Sequence, residues 1–505
     1  MISVDSNDEV LSLIKDAKNK PYGLETVGRI NNFLDGIKFE EEKLLADRLP
    51  ESCTCFVVED TVAGHPDSII NSWVYTAYGV RRGAGVAIIL DKLRPKGTVN
   101  KQGLIASGPT SFATIYSQIN DVFLRGGIKL KKGAVTLHLD ADHPDVEEFI
   151  NAPRSALAWA KRCLNVDPLT FKNHPLLENI LARIADGTLF LVKKEYDAAG
   201  NRIYGNVCLE IRFRHRATCL LAHVNAGLLT KDELLKTYVE SMHWLCKLHN
   251  LSGVFSDADP EGMYLSKKED RQVGLGVLGL ANQLAIAGIT YRDFVNALEF
   301  VNNIPNGISN AEELDLVAYE LAQAYKEAYT EAAKVAKSYN MERAFTIAPT
   351  ANCSFNGVDL HGYTTAPEIA PPVNTLVERD SEVEHLITRE YHPDCEIAIK
   401  VGYDLHFRLN NAWQAMMDST GLGHAISFNW WRDVTKMDVN HIERWLDSNL
   451  KSLYYAWPVN PYAQDKSQLL NVSVGSSEKS VIDSSLDTAS LCAVTNKDQC
   501  TACVE

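Results

Sequence analysis

Beyond residue 50 the chain alternates short, almost wholly apolar runs with longer amphipathic stretches. The runs 55–58, 85–90, 134–137 and 188–192 are rich in Val, Ile, Leu and Phe. Apolar residues at every position, rather than at every second one, are the mark of strands buried on both faces. Helical stretches between such strands predict a parallel α/β sheet or barrel. The segment 311–337, dense in Ala, Glu, Leu and Tyr, predicts one long helix, and 8–18 and 39–49 predict helices with charged faces. No repeat of fixed period is visible.

The last forty or so residues break the pattern. Serines and small acidic residues dominate 473–490, which predicts a tail too poor in apolar area to offset its ordering entropy. That tail ends in Cys500-Thr501-Ala502-Cys503. The expected division is therefore a short helical region over 1–50, an α/β unit over 51–460 and a flexible tail over 461–505.

Composition narrows the function. With 505 residues, 46% of them hydrophobic, a large core is available. A formal charge of −15 argues against a nucleic-acid-binding surface, although a few local amides still suffice for a small anion. Residues 1–20 are too polar for a secretion signal, and no apolar run reaches the roughly 18 residues a membrane span needs. Eleven cysteines scattered along a long chain suggest free thiols in a reducing cytoplasm.

Two motifs carry candidate chemistry. Gly274-Leu275-Gly276-Val277-Leu278-Gly279 matches the dinucleotide-binding glycine pattern, but the charged stretch before it is a poor central strand, so close packing at the glycines is the better reading. The second is Asn206-Val207-Cys208-Leu209-Glu210-Ile211. Read as an extended strand, it points Asn206, Cys208 and Glu210 to one face and Val207, Leu209 and Ile211 to the other. Alone, this pattern fits a half-buried strand with a polar outer face better than an active site.

Asn-x-Cys-x-Glu resembles the active-site segment of ribonucleotide reductase large subunits, and other blocks follow in that family's order. These are Ser52-Cys53, Gly83 to Arg94, Gly133 to Asp145, Cys219 to Asn225, Pro349 to Ser354, and Pro367-Glu368 with Pro371-Pro372. The resemblance implies a ten-stranded α/β barrel of the ribonucleotide reductase and glycyl-radical type. It implies that Cys208 carries a thiyl radical, that Glu210 takes the 3′-hydroxyl proton and that Asn206 orients the group. Cys53 and Cys219 would form the redox pair, re-reduced by Cys500 and Cys503 with thioredoxin or glutaredoxin behind them. Ser52, Thr350, Ala351, Asn352, Cys353 and Ser354 would hold the ribonucleotide substrate. A zinc site, the other common use of a Cys-x-x-Cys, lacks nearby histidines.

Leu453-Tyr454-Tyr455 resembles the tyrosine pair through which class I enzymes receive a radical from a metal-containing small subunit. That reading places no metal or cofactor in this chain. The alternatives are an adenosylcobalamin-dependent class II enzyme and a catalytically silent binding subunit. Two departures from the family matter. The stretch before Cys53 is too short for the ATP-cone domain, which suggests a compact, even virus-encoded, reductase acting in the cytoplasm. The loop 125–133 aligns poorly with the specificity loop, leaving Asp60 and Arg94 as possible effector contacts and the choice between monomer and homodimer open.

Overall fold

The computed structural model describes residues 12–13, 20–22, 52–81, 83–101, 103–123, 133–252, 262–381 and 385–459. Most of the expected N-terminal helical region, the loop residues 125–132 and the tail with Cys500 and Cys503 lie outside the described residues.

Five parallel strands form the first half of the fold: β1 (Cys53–Val57), β2 (Gly85–Ile89), β3 (Val135–Asp140), β4 (Lys161–Val166) and β5 (Leu189–Lys193). They coincide with the four apolar runs and add β4, whose Lys161-Arg162 start and Asn165 obscure its pattern. Helices α1 (Ile69–Arg81), α2 (Pro109–Val122) and α3 (Leu177–Ala185) connect them. Val86, Ile88, Leu137, Leu139 and Leu164 join the main hydrophobic core, whereas Cys53, Cys55, Ala87, Cys163 and Phe190 form a separate inner cluster. The strands are apolar on both faces because one side meets the helices and the other the barrel interior.

After β5 the chain makes a small antiparallel sheet from Glu195–Tyr196, Arg202–Gly205 and Arg212–Phe213. It then runs through β6 (Thr218–Cys219) and β7 (Leu221–Asn225), which Leu220 alone separates. β6 pairs antiparallel with β1, while β7 opens a second parallel sheet with β8 (Gln272–Leu278), β9 (Arg343–Ile347) and β10 (Gly423–Ile426). The other seam is made by β11 (Ser452–Leu453), which pairs antiparallel with β5. Just beyond it, the Tyr454 amide donates to the Phe428 carbonyl at 2.7 Å, and the Ser452 hydroxyl donates to Ile426 O. The result is a ten-stranded barrel of two opposed halves, counting β6 and β7 as one interrupted strand.

Helices α4 (Lys231–Ser252), α5 (Leu280–Ala287), α6 (Tyr291–Val301), α7 (Leu316–Ser338) and α8 (Tyr403–Ser419) clothe the second half. The long helix expected over 311–337 begins only at Leu316, because Asp315 caps it by accepting from the Ala318 amide at 2.9 Å. From the N-terminal region, the Leu13 carbonyl accepts from Trp244 Nε1 at 2.9 Å, and Tyr22 packs on the same Trp244 ring. Among the described residues, no helix is long and apolar enough to cross a membrane.

The glycine motif lies within and just after β8 and is a matter of packing. A β-carbon on Gly276 would stand 2.7 Å from both His223 Cδ2 and the Thr346 carbonyl oxygen, and one on Gly274 would stand 2.4 Å from Leu221 Cδ2. Gly276→Ala is therefore expected to destabilise the chain by about 1–3 kcal/mol through overpacking. Urea denaturation of the full chain measures it, and an unchanged midpoint would show that β8 yields more easily than its contacts indicate.

Candidate active site

The segment 206–211 is not the extended strand its alternation suggested. It is the turn that joins Arg202–Gly205 to Arg212–Phe213, and it fills the middle of the barrel. Leu209 takes a φ of 67°, and the Asn206 amide donates to the Ile211 carbonyl at 3.1 Å. The Asn206 side chain closes the turn by accepting from the Ile211 amide at 3.1 Å. Such local capping competes with strand geometry, and asparagine is suited to it. One contact separates the two geometries: Asn206 Nδ2 donates to Glu210 Oε1 at 2.8 Å, whereas residues i and i+4 of a strand are about 13 Å apart. The opposite apolar face does not form either, since Val207, Leu209 and Ile211 share the inner cluster with Cys208.

Every residue from Asn206 to Ile211 is fully buried, so its backbone oxygens need partners inside the barrel. The strands and the segments that follow them supply these. The Thr136 hydroxyl on β3 donates to Val207 O at 3.0 Å, and the Thr346 hydroxyl on β9 donates to Glu210 O at 3.1 Å. The Ala425 amide on β10 donates to the same oxygen at 2.9 Å, and the Ser427 hydroxyl donates to Cys208 O. Nothing in the sequence singles out Thr136, Thr346 or Ser427.

The turn gathers most of the expected site. Asn206 Nδ2 also reaches Cys53 Sγ, at 3.2 Å. Cys53 on β1 is the register partner of Cys219 on β6. Facing residues on antiparallel strands have α-carbons about 4.5–5.5 Å apart, within the span a disulfide bridges. Both are free thiols here, and burial pushes the Cys219 pKa well up. Ser52 Oγ lies 3.5 Å from Cys53 Sγ and donates to Cys219 O at 3.3 Å. Cys55, Cys163, Cys246, Cys353 and Cys395 are buried free thiols as well.

Tyr454 follows β11 into the same buried cluster, and its hydroxyl donates to Cys208 Sγ at 3.4 Å. The Tyr454 and Tyr455 rings meet edge to face with centroids 4.9 Å apart. Burial raises the pKa of the Tyr455 phenol. A residue the sequence left unmarked completes this corner: Lys161, at the start of β4, donates from Nζ to the Tyr454 oxygen at 2.7 Å.

The stretch 350–354 forms a short helix, Ala351–Ser354, after β9. Asn352 lies within it. Ser354 Oγ donates to Ala351 O at 3.0 Å, and Cys353 is buried. Thr350 is tied to Glu368: its amide donates to Glu368 Oε1 at 3.3 Å, and its Oγ1 accepts from the Glu368 amide at 2.9 Å. Away from this cluster, Asp60 and Arg94 form an ion pair with each other at the protein surface. Among the described residues, no group of His, Cys, Asp and Glu is arranged to hold a metal ion.

An ionic cluster holds the base of the turn-bearing hairpin. Arg202 donates to both oxygens of Asp140, at 2.6 and 3.1 Å, and its guanidinium lies 3.6 Å from Asp91. Asn165 Nδ2 bridges Asp91 and Asp140, and Lys194 adds a second cation to Asp140. Burial works to raise the Asp140 pKa, yet Arg202 prevails and holds that carboxyl well below its usual range. Burial and the neighbouring Asp140 push Asp91 the other way.

Comparison with known proteins agrees with this architecture. Residues 51–169 match the family described as ribonucleotide reductase, barrel domain. Over 304 residues the chain is 27% identical to the vitamin B12-dependent ribonucleoside-diphosphate reductase of Mycobacterium tuberculosis strain CDC 1551 / Oshkosh, covering 51% of this chain and 42% of that protein. Over 128 residues it is 32% identical to the protein of the same description from Thermoplasma acidophilum, covering 22% and 16%. The chain thus matches less than half the length of these curated relatives. Among solved structures, the Actinobacillus ureae class Id ribonucleotide reductase alpha subunit superposes with a TM-score of 0.60 at 18% identity, covering 82% of this chain and 84% of that one.

Arg202→Met should leave Asp140 and Asp91 short of a cation. By the usual cost of breaking a partly buried ion pair, it is expected to destabilise the fold by about 3 kcal/mol. Denaturation at neutral pH tests this, and a loss under about 0.5 kcal/mol, the size of an ordinary surface change, would show that Lys194 suffices.

Proposed function

We propose, from the match of residues 51–169 to the ribonucleotide reductase barrel domain and the likeness of the fold to a ribonucleotide reductase alpha subunit, that the chain reduces ribonucleotides, of diphosphate type, to 2′-deoxyribonucleotides by thiyl-radical chemistry at Cys208. The observation that carries the proposal is the convergence on one turn: Asn206 bridges Glu210 and Cys53 while Tyr454 contacts Cys208.

Each residue type has a task that its position supports. The Cys208 thiyl radical takes the hydrogen from the ribose 3′ carbon, and Glu210 accepts the 3′-hydroxyl proton, with Asn206 fixing the carboxylate. The 2′-hydroxyl leaves as water on a proton from the Cys53 and Cys219 pair. That pair supplies two electrons and becomes a disulfide as its second proton completes the new C–H bond at the 2′ carbon, and Cys208 regains its radical when the 3′ hydrogen returns and Glu210 gives back its proton. A disulfide between such buried residues is out of reach of a bulky thioredoxin-like protein. Exchange with Cys500 and Cys503, which thioredoxin or glutaredoxin then reduces, meets that need. Ser52, Thr350, Ala351, Asn352, Cys353 and Ser354 are the proposed substrate contacts, and Asp60 with Arg94 the proposed effector contacts.

The radical source is the finer question. Contact between Tyr454 and Cys208, with Tyr455 packed on Tyr454, favours a relay from a metal-containing small subunit. A second reading, adenosylcobalamin as the source, is favoured by the names of the curated relatives.

Cys208→Ser, nearly isosteric, is expected to abolish turnover while leaving thermal unfolding unchanged; sustained deoxynucleotide formation would remove Cys208 from its role. Replacing both Cys500 and Cys503 by Ser should permit about one turnover with thioredoxin as reductant, a partial activity that a small dithiol extends. Full thioredoxin-driven turnover would exclude the tail as shuttle. Purified chain assayed with adenosylcobalamin alone, and separately with candidate small subunits, separates the two radical sources. Tyr454→Phe and Tyr455→Phe should be inactive in the second format, and activity with adenosylcobalamin alone would end the relay reading.

A further inference from the structure

We propose that Lys161 is a positioning residue for radical transfer between Tyr454 and Cys208, an inference that rests on the relay reading of Tyr454. Four observations converge on it. Lys161 Nζ donates to the Tyr454 oxygen at 2.7 Å, and the Tyr454 hydroxyl donates to Cys208 Sγ at 3.4 Å. The Lys161 ammonium also lies 5.1 Å from the centroid of the Tyr454 ring. Lys161 is paired in register with Thr136, whose side chain holds the Val207 carbonyl beside Cys208, so one pair of strands places both the lysine and the thiol-bearing turn.

The geometry has a chemical consequence. A phenol has one hydrogen to donate, and its oxygen also accepts. The lysine has hydrogens only to give, so it occupies the accepting side of the Tyr454 oxygen and leaves the phenol hydrogen directed at sulfur. In the transfer step the hydrogen leaves Cys208 Sγ with one electron and joins the Tyr454 oxyl radical. The S–H bond breaks, the O–H bond forms, and the radical passes from oxygen to sulfur. Lys161 keeps all its protons throughout. Its part is to hold the ring in line with the S–H bond and to place a fixed positive charge beside an oxygen whose charge and hydrogen bonding change during the step. The Phe190 ring, 5.2 Å from the Tyr454 ring, restrains the opposite freedom, that of the ring plane.

The test has two arms on the full chain. In the first, Tyr454 is replaced by 3,5-difluorotyrosine, whose ionisation is read by absorbance in the isolated chain without any radical source. Losing the cation in Lys161→Met should raise that phenol's pKa by about one unit or more, and Lys161→Arg should leave it within about half a unit. In the second arm, the unlabelled chain is assayed with its radical-generating partner and saturating ribonucleoside diphosphate. Lys161→Met is expected to lower kcat at least about tenfold with KM changed less than about twofold, and Lys161→Arg to recover most of the loss. If Tyr454→Phe is inactive while Lys161→Met turns over like the parent, or if the phenol pKa does not move, the role of Lys161 is wrong and the relay stands. Should Tyr454→Phe itself remain active, the relay reading falls and this inference falls with it.

Discussion

A buried turn is the constraint on which the rest of this structure depends. The six residues 206–211 sit in the centre of a closed barrel, out of reach of solvent, with backbone groups that no regular ladder can satisfy. An unmade hydrogen bond at such a depth costs about 1–3 kcal/mol. Thr136, Thr346, Ala425 and Ser427, on or beside strands of both halves of the barrel, each donate to a carbonyl of the turn. The barrel therefore specifies the turn as much as it encloses it. A shift of the second half would break three of these bonds together, and a shift of the first would break the Thr136 bond.

The same constraint explains the small residues around it. Gly274 on β8 brings its backbone within contact of Ile211 Cδ1, which a β-carbon there would approach to 3.2 Å. Ala87 and Ala348 are buried in the same inner cluster as the turn. The base of the hairpin is secured differently, by Arg202 against the Asp140 and Asp91 carboxylates. Neutral hydrogen bonds hold the carbonyls of the turn, while paired charges hold the strands beside it: Arg202 on Asp140 and, fully buried, Arg212 on Glu195 at 3.0 Å.

The barrel was legible because its strands are apolar on both faces and its helices are not. β1, β2, β3 and β5 stand within a few residues of their expected positions. The sequence concealed β4, where Lys161, Arg162 and Asn165 interrupt the apolar run. Arg162 is buried because its guanidinium donates to the Phe149, Ile150 and Ala152 carbonyls at the C-terminal end of the short helix Val146–Asn151. The local shape of 206–211 was likewise concealed. Alternation of polar and apolar residues looks the same in a strand and in a turn that caps itself through Asn206, and the left-handed Leu209 has no sequence signature of its own.

Motif resemblance pointed to Asn206, Cys208, Glu210, Cys53, Cys219 and Tyr454, but it had no means of pointing to Lys161. A motif records residues near one another in sequence, and Lys161 meets Tyr454 only because the last strand closes against β5 and brings a residue 293 positions away beside the start of β4. Closure is thus more than a way of removing sheet edges. The two seams of the barrel are where the redox pair and the tyrosine are placed: Cys53 and Cys219 face each other where β1 meets β6, and Tyr454 follows β11 where it meets β5. Strands joined across a seam belong to opposite halves, so each contact there is set by the register of the whole barrel. The turn then delivers Cys208 between the two seams, with the Tyr454 hydroxyl on its sulfur and Asn206 of the same turn on Cys53. A barrel that failed to close at either seam would lose one partner of Cys208 or of Asn206 while leaving most of its core intact, which is why the chemistry is more sensitive than the fold to the length and register of β6 and β11.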